Sequence, residues 1–131
     1  MNSEIILIDD DEILLVILEK MIRKVMGEIE LKSFNSGTAA LEFLKNNVDP
    51  IPISRYLLVD VNLKDMTGWD FLTRLEEENY QNFKAIVITS SVSLSNHATA
   101  EKFPSVIGFF EKPITFKIIE QIHQKIIDSK S

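Results

Sequence analysis

The sequence predicts an α/β fold in which helices cover both faces of a parallel, doubly wound sheet. Two observations carry this prediction: short apolar runs of strand length recur along the chain, and each is followed by a segment with apolar residues at helical spacing. Single alternation of strands and helices favours parallel strands joined by right-handed crossovers. The carboxyl ends of such strands meet at one rim of the sheet, which is where ligands bind.

Length and composition limit the class of protein. The 131 residues fit one domain spanning 1–131, and 45% hydrophobic with 26% charged residues is typical of a globular protein. The net charge of -6 disfavours nucleic-acid binding, and the lack of Cys excludes disulfides, thiolate metal sites and thiol catalysis. No signal peptide or run of the roughly 20 apolar residues needed to span a bilayer is present. We expect a cytoplasmic protein with no direct nucleic-acid or membrane contact.

The first strand and helix follow from residues 5–27. The aliphatic run 5–8 ends in the acidic segment Asp9–Glu12 and predicts a buried strand. Asp11 and Glu12 are typical of a helix start, because capping and the helix dipole favour acids there. We expect that helix to end at Gly27. Its apolar residues at helical spacing are Ile13, Val16, Ile17 and Met21, and Ile22 could join them.

The second unit begins with residues 29–34, whose alternation predicts a strand near a sheet edge. A turn at 35–37 leads into a helix, and two prolines predict a loop over 46–54. In the run 55–62 an apolar segment ends abruptly at Asp60, which predicts a buried strand that stops there. The second helix contains Ala39, Ala40, Phe43 and Leu44; the third starts at Thr67 or Gly68 and contains Phe71, Leu72 and Leu75.

The last two units repeat the pattern. Residues 85–88 predict a strand that stops in hydroxyl residues, and 93–103 predict a short polar helix that buries Leu94, Ala98 and Phe103. A fifth strand over 106–110 is stopped by Glu111-Lys112-Pro113, and an amphipathic helix over 114–128 follows. That helix carries Ile118, Ile119, Ile122 and Ile126 at core spacing, and Phe116, His123 and Ile127 could form an outward partner surface.

The strand ends together predict a phosphoryl-transfer site. They are Asp9, Asp10, Phe34, Asn35, Asp60, Thr89, Ser90 and Lys112. Clustered carboxylates without His or Cys suit Mg²⁺. A hydroxyl and an ammonium are what phosphoryl oxygens need, and a carboxylate can be the nucleophile. The pattern predicts phosphoryl transfer onto Asp60.

The same residues resemble a known family. Asp9-Asp10, Asp60, Gly68, Thr89 and Lys112-Pro113, in five strand–helix units, are similar to the receiver domain of bacterial two-component response regulators over the whole chain. The resemblance implies a flavodoxin-like (βα)5 sheet with strand order 2-1-3-4-5. It also implies that Lys112-Pro113 is a cis peptide.

The resemblance implies a role for each site residue. Asp60 would be the phosphoacceptor, Asp9, Asp10, Asp60 and the backbone carbonyl of Asn62 would hold Mg²⁺, Lys112 would bind phosphate, and Thr89 and Phe109 would be switch residues. The phosphoryl donor would be a sensor histidine kinase or a histidine phosphotransfer protein. We expect no DNA-binding or catalytic domain after Ser131, so the output would be a downstream protein. We expect a monomer that could dimerise when phosphorylated. Its catalysis would extend at most to its own phosphorylation and slow dephosphorylation.

Two positions depart from the family pattern. Lys64 stands where a proline is usual in the loop after the acceptor, and Ser90 stands where alanine usually follows the switch hydroxyl. Thr89 and Ser90 therefore compete for the switch role, with register favouring Thr89. For Phe109, an ordinary core position is the alternative. Trp69 is expected to be a packing residue near enough to the site to report on it, and His97 and His123 are expected to face solvent.

Three rival functions use the same fold features. A receiver-like interaction module that is not phosphorylated is disfavoured by the intact acid, hydroxyl and lysine set. A haloacid-dehalogenase-type phosphohydrolase also uses an Asp nucleophile, but it needs a second Asp where this chain has Asn62. A nucleotide-binding flavodoxin-like protein would need a glycine-rich first turn, which this sequence lacks.

Overall fold

A computed structural model describes residues 3–47, 53–78, 82–90 and 94–130, with the side chains of Leu94 and Ser95 left out. Its elements in chain order are β1 (Ser3–Ile8), α1 (Glu12–Met26), β2 (Glu30–Phe34), α2 (Gly37–Asn46), β3 (Ser54–Asp60), α3 (Gly68–Glu77), β4 (Phe83–Thr89), α4 (Leu94–Glu101), β5 (Val106–Glu111) and α5 (Phe116–Ser129). The predicted alternation of strands and helices is confirmed. Among these helices, none has the combination of length and apolar character needed to cross a membrane.

The five strands form one parallel sheet in the order β2-β1-β3-β4-β5. This is the flavodoxin-like order that the resemblance implied, and that prediction is confirmed. β3 lies at the centre of the sheet, between β1 and β4, and β2 lies at an edge as its alternating sequence predicted. The central strand therefore ends in Asp60, with the ends of β1 and β4 on its two sides.

The sheet is buried on both faces because successive residues of a strand point to opposite sides. The face covered by α1 and α5 contains Ile5, Leu7, Tyr56, Leu58, Leu18, Ile119 and Ile122. The face covered by α2 and α3 contains Ile6, Ile8, Leu57, Val59, Leu44, Phe71 and Leu75. Both faces of β1 and β3 are thus apolar, which explains why these strands are continuous aliphatic runs.

Helix α1 buries Ile22, as the spacing allowed, but its other core residues differ from the predicted stripe. These core residues are Leu15 and Leu18, whereas Ile13, Val16 and Ile17 are 75%, 53% and 47% exposed. Every residue from Ile13 to Leu18 is apolar, so more than one stripe fits a helical period. The helix starts and ends as predicted, with Asp11 as its N-cap and Gly27 as its C-cap.

The other boundaries differ by a few residues. Helix α4 ends at Glu101, short of the predicted 103, and it buries Ala100 rather than Ala98. Helix α5 begins after its N-cap Thr115, two residues later than predicted, and buries Ile119, Ile122 and Ile126 as expected. Part of the predicted 46–54 loop, as well as Ser93, lies outside the described residues.

Candidate phosphoryl-transfer site

Three acidic side chains converge at the carboxyl rim of the sheet. β1 and β3 are neighbours, with Ile8 paired to Val59, so Asp9 and Asp60 follow equivalent positions on adjacent strands. Asp9 is 1% and Asp60 5% exposed, and Asp10 beside them is half-buried. Asp9, Asp10 and Asp60 each offer one carboxylate oxygen within 4.8 Å of the others. The structure therefore brings together the three acids singled out in the sequence.

Lys112 reaches these acids from the end of β5. Its Nζ donates hydrogen bonds to Oδ2 of Asp9 at 2.7 Å and to Oδ2 of Asp60 at 3.0 Å. The lysine backbone is held by its own N–H, which donates to the carbonyl of Thr89 at 2.9 Å, and the Lys112-Pro113 peptide is cis. One ammonium is thus shared by two acids that come from different strands.

The other oxygen of each acid is held by a nearby backbone amide. Oδ1 of Asp9 accepts from the N–H of Asp11 at 2.9 Å, and Oδ1 of Asp60 accepts from the N–H of Asn62 at 3.2 Å. Asp9 and Asp60 therefore each accept hydrogen bonds at both carboxylate oxygens, one from the amide two residues ahead and one from Lys112. Such bonds orient the two carboxylates towards the same ammonium.

Burial and charge act in opposite directions on the pKa values of this cluster. Burial raises the pKa of Asp9, and the nearby charge of Asp60 adds to this; the hydrogen bonds from Lys112 and Asp11 oppose the rise without cancelling it. For Lys112, burial lowers the pKa, but the hydrogen bonds and charges of Asp9 and Asp60 outweigh that effect, so the pKa lies above its ordinary value. The lysine therefore stays protonated at neutral pH.

The family model for the response regulator receiver domain matches residues 5–126. This chain belongs to the response regulator receiver domain family. Among solved structures, it is similar to a two component response regulator from Cytophaga hutchinsonii, with 23% identity, a TM-score of 0.84, and coverage of 97% of this chain and 98% of that one. A CheY-like receiver domain protein from Methanospirillum hungatei JF-1 has 20% identity and a TM-score of 0.81, covering 99% and 98%. At these identities, the structures support the fold of the receiver domain.

The receiver's remaining predicted site residues lie near the rim. Thr89 is buried at the end of β4, directly after Ile88, which pairs with Asp60; Ser90 is exposed. The exposed Asn62 begins the loop after Asp60. Phe109 on β5 is half-buried, and its ring centroid lies 4.2 Å from that of His97 on α4. His97 is exposed as expected, yet it packs on the predicted switch aromatic.

Two strand-end residues and the tryptophan contribute no side chain to the acidic cluster. The Phe34 carbonyl accepts from the backbone N–H of Asp9 at 3.1 Å, whereas Asn35 donates its side-chain amide to Glu12 at 2.8 Å. The first contact joins the ends of β2 and β1, and the second joins the end of β2 to the start of α1. Trp69 stacks on Phe103 with ring centroids 5.7 Å apart, so it is a packing residue as expected.

The donor set fits a hard divalent cation. Three carboxylates come within reach of one another, and neither His nor Cys is among them. Oxygen-only sites of this kind suit Mg²⁺, which commonly takes one or two carboxylates together with phosphate oxygens. Asp9, Asp10 and Asp60 could therefore hold Mg²⁺, with Lys112 available to neutralise a phosphoryl oxygen.

Asp65 is not among the site residues predicted from the sequence. In the structure its carboxylate accepts from the N–H of Gly37 at 3.0 Å, the N–H of Thr38 at 2.8 Å and the hydroxyl of Thr38 at 2.6 Å. The Thr38 hydroxyl bond is the main cause that lowers the pKa of Asp65 to about 2. No local pattern could reveal this contact, since the two segments are more than 25 residues apart.

Proposed function

We propose that this receiver domain, comprising residues 1–131, takes a phosphoryl group from a phosphohistidine onto Asp60. The donor is a sensor histidine kinase or a histidine phosphotransfer protein. Asp9, Asp10, Asp60 and the backbone carbonyl of Asn62 hold Mg²⁺. One observation carries the proposal: the Lys112 ammonium lies 2.7 Å from Asp9 and 3.0 Å from Asp60 at the rim of the central strands.

The reaction forms an acyl phosphate. A carboxylate oxygen of Asp60 attacks the phosphorus atom, the phosphorus–nitrogen bond of the donor breaks, and the imidazole leaves with the electron pair and takes up a proton. Mg²⁺, when bound, neutralises charge on the phosphoryl oxygens. Lys112 moves its hydrogen bond from the Asp60 carboxylate to a phosphoryl oxygen, so that its charge remains beside the negative group throughout.

Thr89 and Phe109 form the proposed readout. Thr89 is preferred to Ser90 because it is buried at the end of β4, beside the strand that carries Asp60. Its hydroxyl donates to the phosphoryl group, and Phe109 changes its packing against His97 in response. The surface made by α4, β5 and α5 then changes and is read by a downstream protein in the cytoplasm.

The acceptor is tested by incubating the protein with Mg²⁺ and acetyl phosphate and measuring its intact mass. We expect a gain of one phosphoryl group in the wild type and none in Asp60→Asn, whose amide is not a competent nucleophile. No gain with any phosphodonor, or an equal gain in the variant, would overturn the proposal. The former outcome would favour an interaction module that is not phosphorylated.

The metal ligands are tested separately through Trp69. This residue lies in the first turn of α3, and its Nε1 lies 3.3 Å from the side-chain oxygen of Asn96 on α4. We expect its fluorescence to change when Mg²⁺ is added, and the change to disappear in Asp10→Ala. An unchanged Mg²⁺ response in that variant would remove Asp10 from the ligand set.

A further inference from the structure

The loop between β3 and α3, residues 61–67, carries the groups next to the acceptor. Its base is closed by two backbone contacts: the N–H of Gly68 donates to the carbonyl of Val61 at 2.7 Å, and Asn62 forms an antiparallel bridge with Thr67. A Cβ at Gly68 would lie 2.5 Å from the carbonyl oxygen of Asp60, so the chain returns directly against the acceptor residue. The two ends of the loop are therefore bonded to each other.

The tip of the loop, Lys64 to Met66, is held by α2. The three hydrogen bonds of Asp65 to Gly37 and Thr38 join it to the first turn of that helix. Met66 packs so closely that a Cβ at Gly37 would lie 2.5 Å from its sulfur atom. Lys64 is exposed and, unlike a proline at this position, has no ring that restricts its backbone. The contacts of its neighbours Asp65 and Met66 must therefore hold the tip.

The need to cap helix α2 does not by itself explain the hydrogen bonds of Asp65. Ser36 is already the N-cap, and its hydroxyl accepts from the N–H of Ala39 at 3.1 Å. Asp65 adds a partner from another part of the chain, and one of its three bonds goes to a side chain rather than to a helix amide. Hydrogen bonds to an ionised carboxylate are stronger than those between neutral groups. Together the three bonds hold the loop against α2.

We propose that Asp65 is a positioning residue for phosphorylation, which keeps the loop placed so that Asn62 serves the acceptor site. The inference rests on the proposed function. Asn62 donates its N–H to Asp60 at 3.2 Å, and its carbonyl is the proposed backbone ligand of Mg²⁺. A tip that is free to move would shift both groups.

The test compares variants that leave the net charge unchanged. Thr38→Val removes the hydroxyl that binds Asp65, Thr38→Ser restores a hydroxyl, and Ser36→Ala removes only the local cap of α2. For each, the affinity for Mg²⁺ is measured by calorimetry, the rate of phosphorylation by acetyl phosphate from intact mass, and folding by thermal melting. We expect Thr38→Val to weaken Mg²⁺ binding about threefold to tenfold, at or below the usual effect of removing a group that orients a metal ligand. Phosphorylation should slow in parallel.

The controls separate positioning from stability. Thr38→Ser should behave like the wild type, and Ser36→Ala should lower the melting temperature with unchanged Mg²⁺ affinity and rate. Equal Mg²⁺ affinity and rate in Thr38→Val and the wild type would overturn the role of this contact while the phosphoacceptor function stands. Equal losses in Thr38→Val and Ser36→Ala would assign the effect to α2 stability and also overturn it. A wild type that neither binds Mg²⁺ nor gains a phosphoryl group would overturn both proposals.

Discussion

The two ends of the sheet both carry buried ion pairs between neighbouring strands, but the described contacts differ in their charge balance. At the amino end, Arg55 of β3 donates from Nε to Glu4 of β1 at 2.9 Å, with side chains 6% and 10% exposed. The same guanidinium donates to the Asn47 carbonyl at 2.9 Å and lies 5.7 Å from the ring of Phe43. Among the described contacts, Glu4 is the acid that pairs with this base.

At the carboxyl end, one lysine faces Asp9 and Asp60, with Asp10 beside them. Among the described contacts, the same two strands thus supply a one-to-one pair at one end and an excess of carboxylates at the other. Breaking a buried pair by removing one partner destabilises the folded protein, because it leaves an uncompensated charge. An unbalanced cluster is suited to binding a divalent cation, because the cation offsets the excess negative charge. The cation and Lys112 can then neutralise the oxygens of a phosphoryl group.

The largest expected effect comes from breaking the balanced pair. Arg55→Met leaves Glu4 buried without its partner and should lower the free energy of unfolding by roughly 3–5 kcal/mol. Urea denaturation measures this loss. The double variant Glu4→Gln with Arg55→Met should recover much of it, and the folded protein should still be phosphorylated at Asp60. A loss of phosphorylation in the folded double variant would contradict the separation of the two ends.

At the unbalanced end, Lys112→Met should separate cation binding from chemistry. Removing the ammonium lessens the repulsion of a cation, so Mg²⁺ affinity should rise about tenfold, or ~1.4 kcal/mol. Phosphorylation should slow about a hundredfold, because a charge that stabilises the phosphoryl oxygens is lost. Calorimetry and intact mass measure the two quantities. Weaker Mg²⁺ binding in this variant would show that Lys112 does not compete with the cation.

A smaller effect should distinguish Thr89 from Ser90. Thr89→Val keeps the shape of the buried side chain but removes its hydroxyl, and the loss of one hydrogen bond should change the phosphorylation rate about threefold to tenfold. The exposed Ser90→Ala variant is the matched control and should react like the wild type. Time-resolved mass measurement after addition of acetyl phosphate compares them. The reverse result would transfer the switch role to Ser90.

The smallest expected effect is the pH dependence of the Asp65 contact. The pKa of the Asp65 carboxyl is lowered from 3.8 to about 2, so the contact contributes its full stability above pH 3.8. That stability is lost as the pH falls through the folded-state pKa of about 2. The stability difference between the wild type and Asp65→Asn should therefore narrow as pH falls from 3.8 towards about 2. Urea denaturation across this pH range measures the stability difference. A difference that widens as the pH falls would contradict the prediction.

Much of the fold was predictable because each strand has a local signature. Continuous aliphatic runs predicted β1, β3 and β4, and their ends coincide with the residues expected at the rim. Asp11 and Gly27 were recognisable at the ends of α1, since caps depend on adjacent backbone. The first part of the buried stripe of α1 was predicted wrongly because the first turns of this helix are apolar all round. Only packing against the sheet and α5 selects Leu15 and Leu18 there.

The sequence by itself therefore determined the order of the elements and which residues end the strands, because periodicity and capping are local properties. It also predicted that the acids and Lys112 share one rim, since parallel strands point the same way. Only the tertiary structure decided that Lys112 bridges Asp9 and Asp60, that Arg55 pairs with Glu4, and that Asp65 binds the start of α2. Those contacts join residues far apart in the chain, so they exist only once the sheet and its helices have packed.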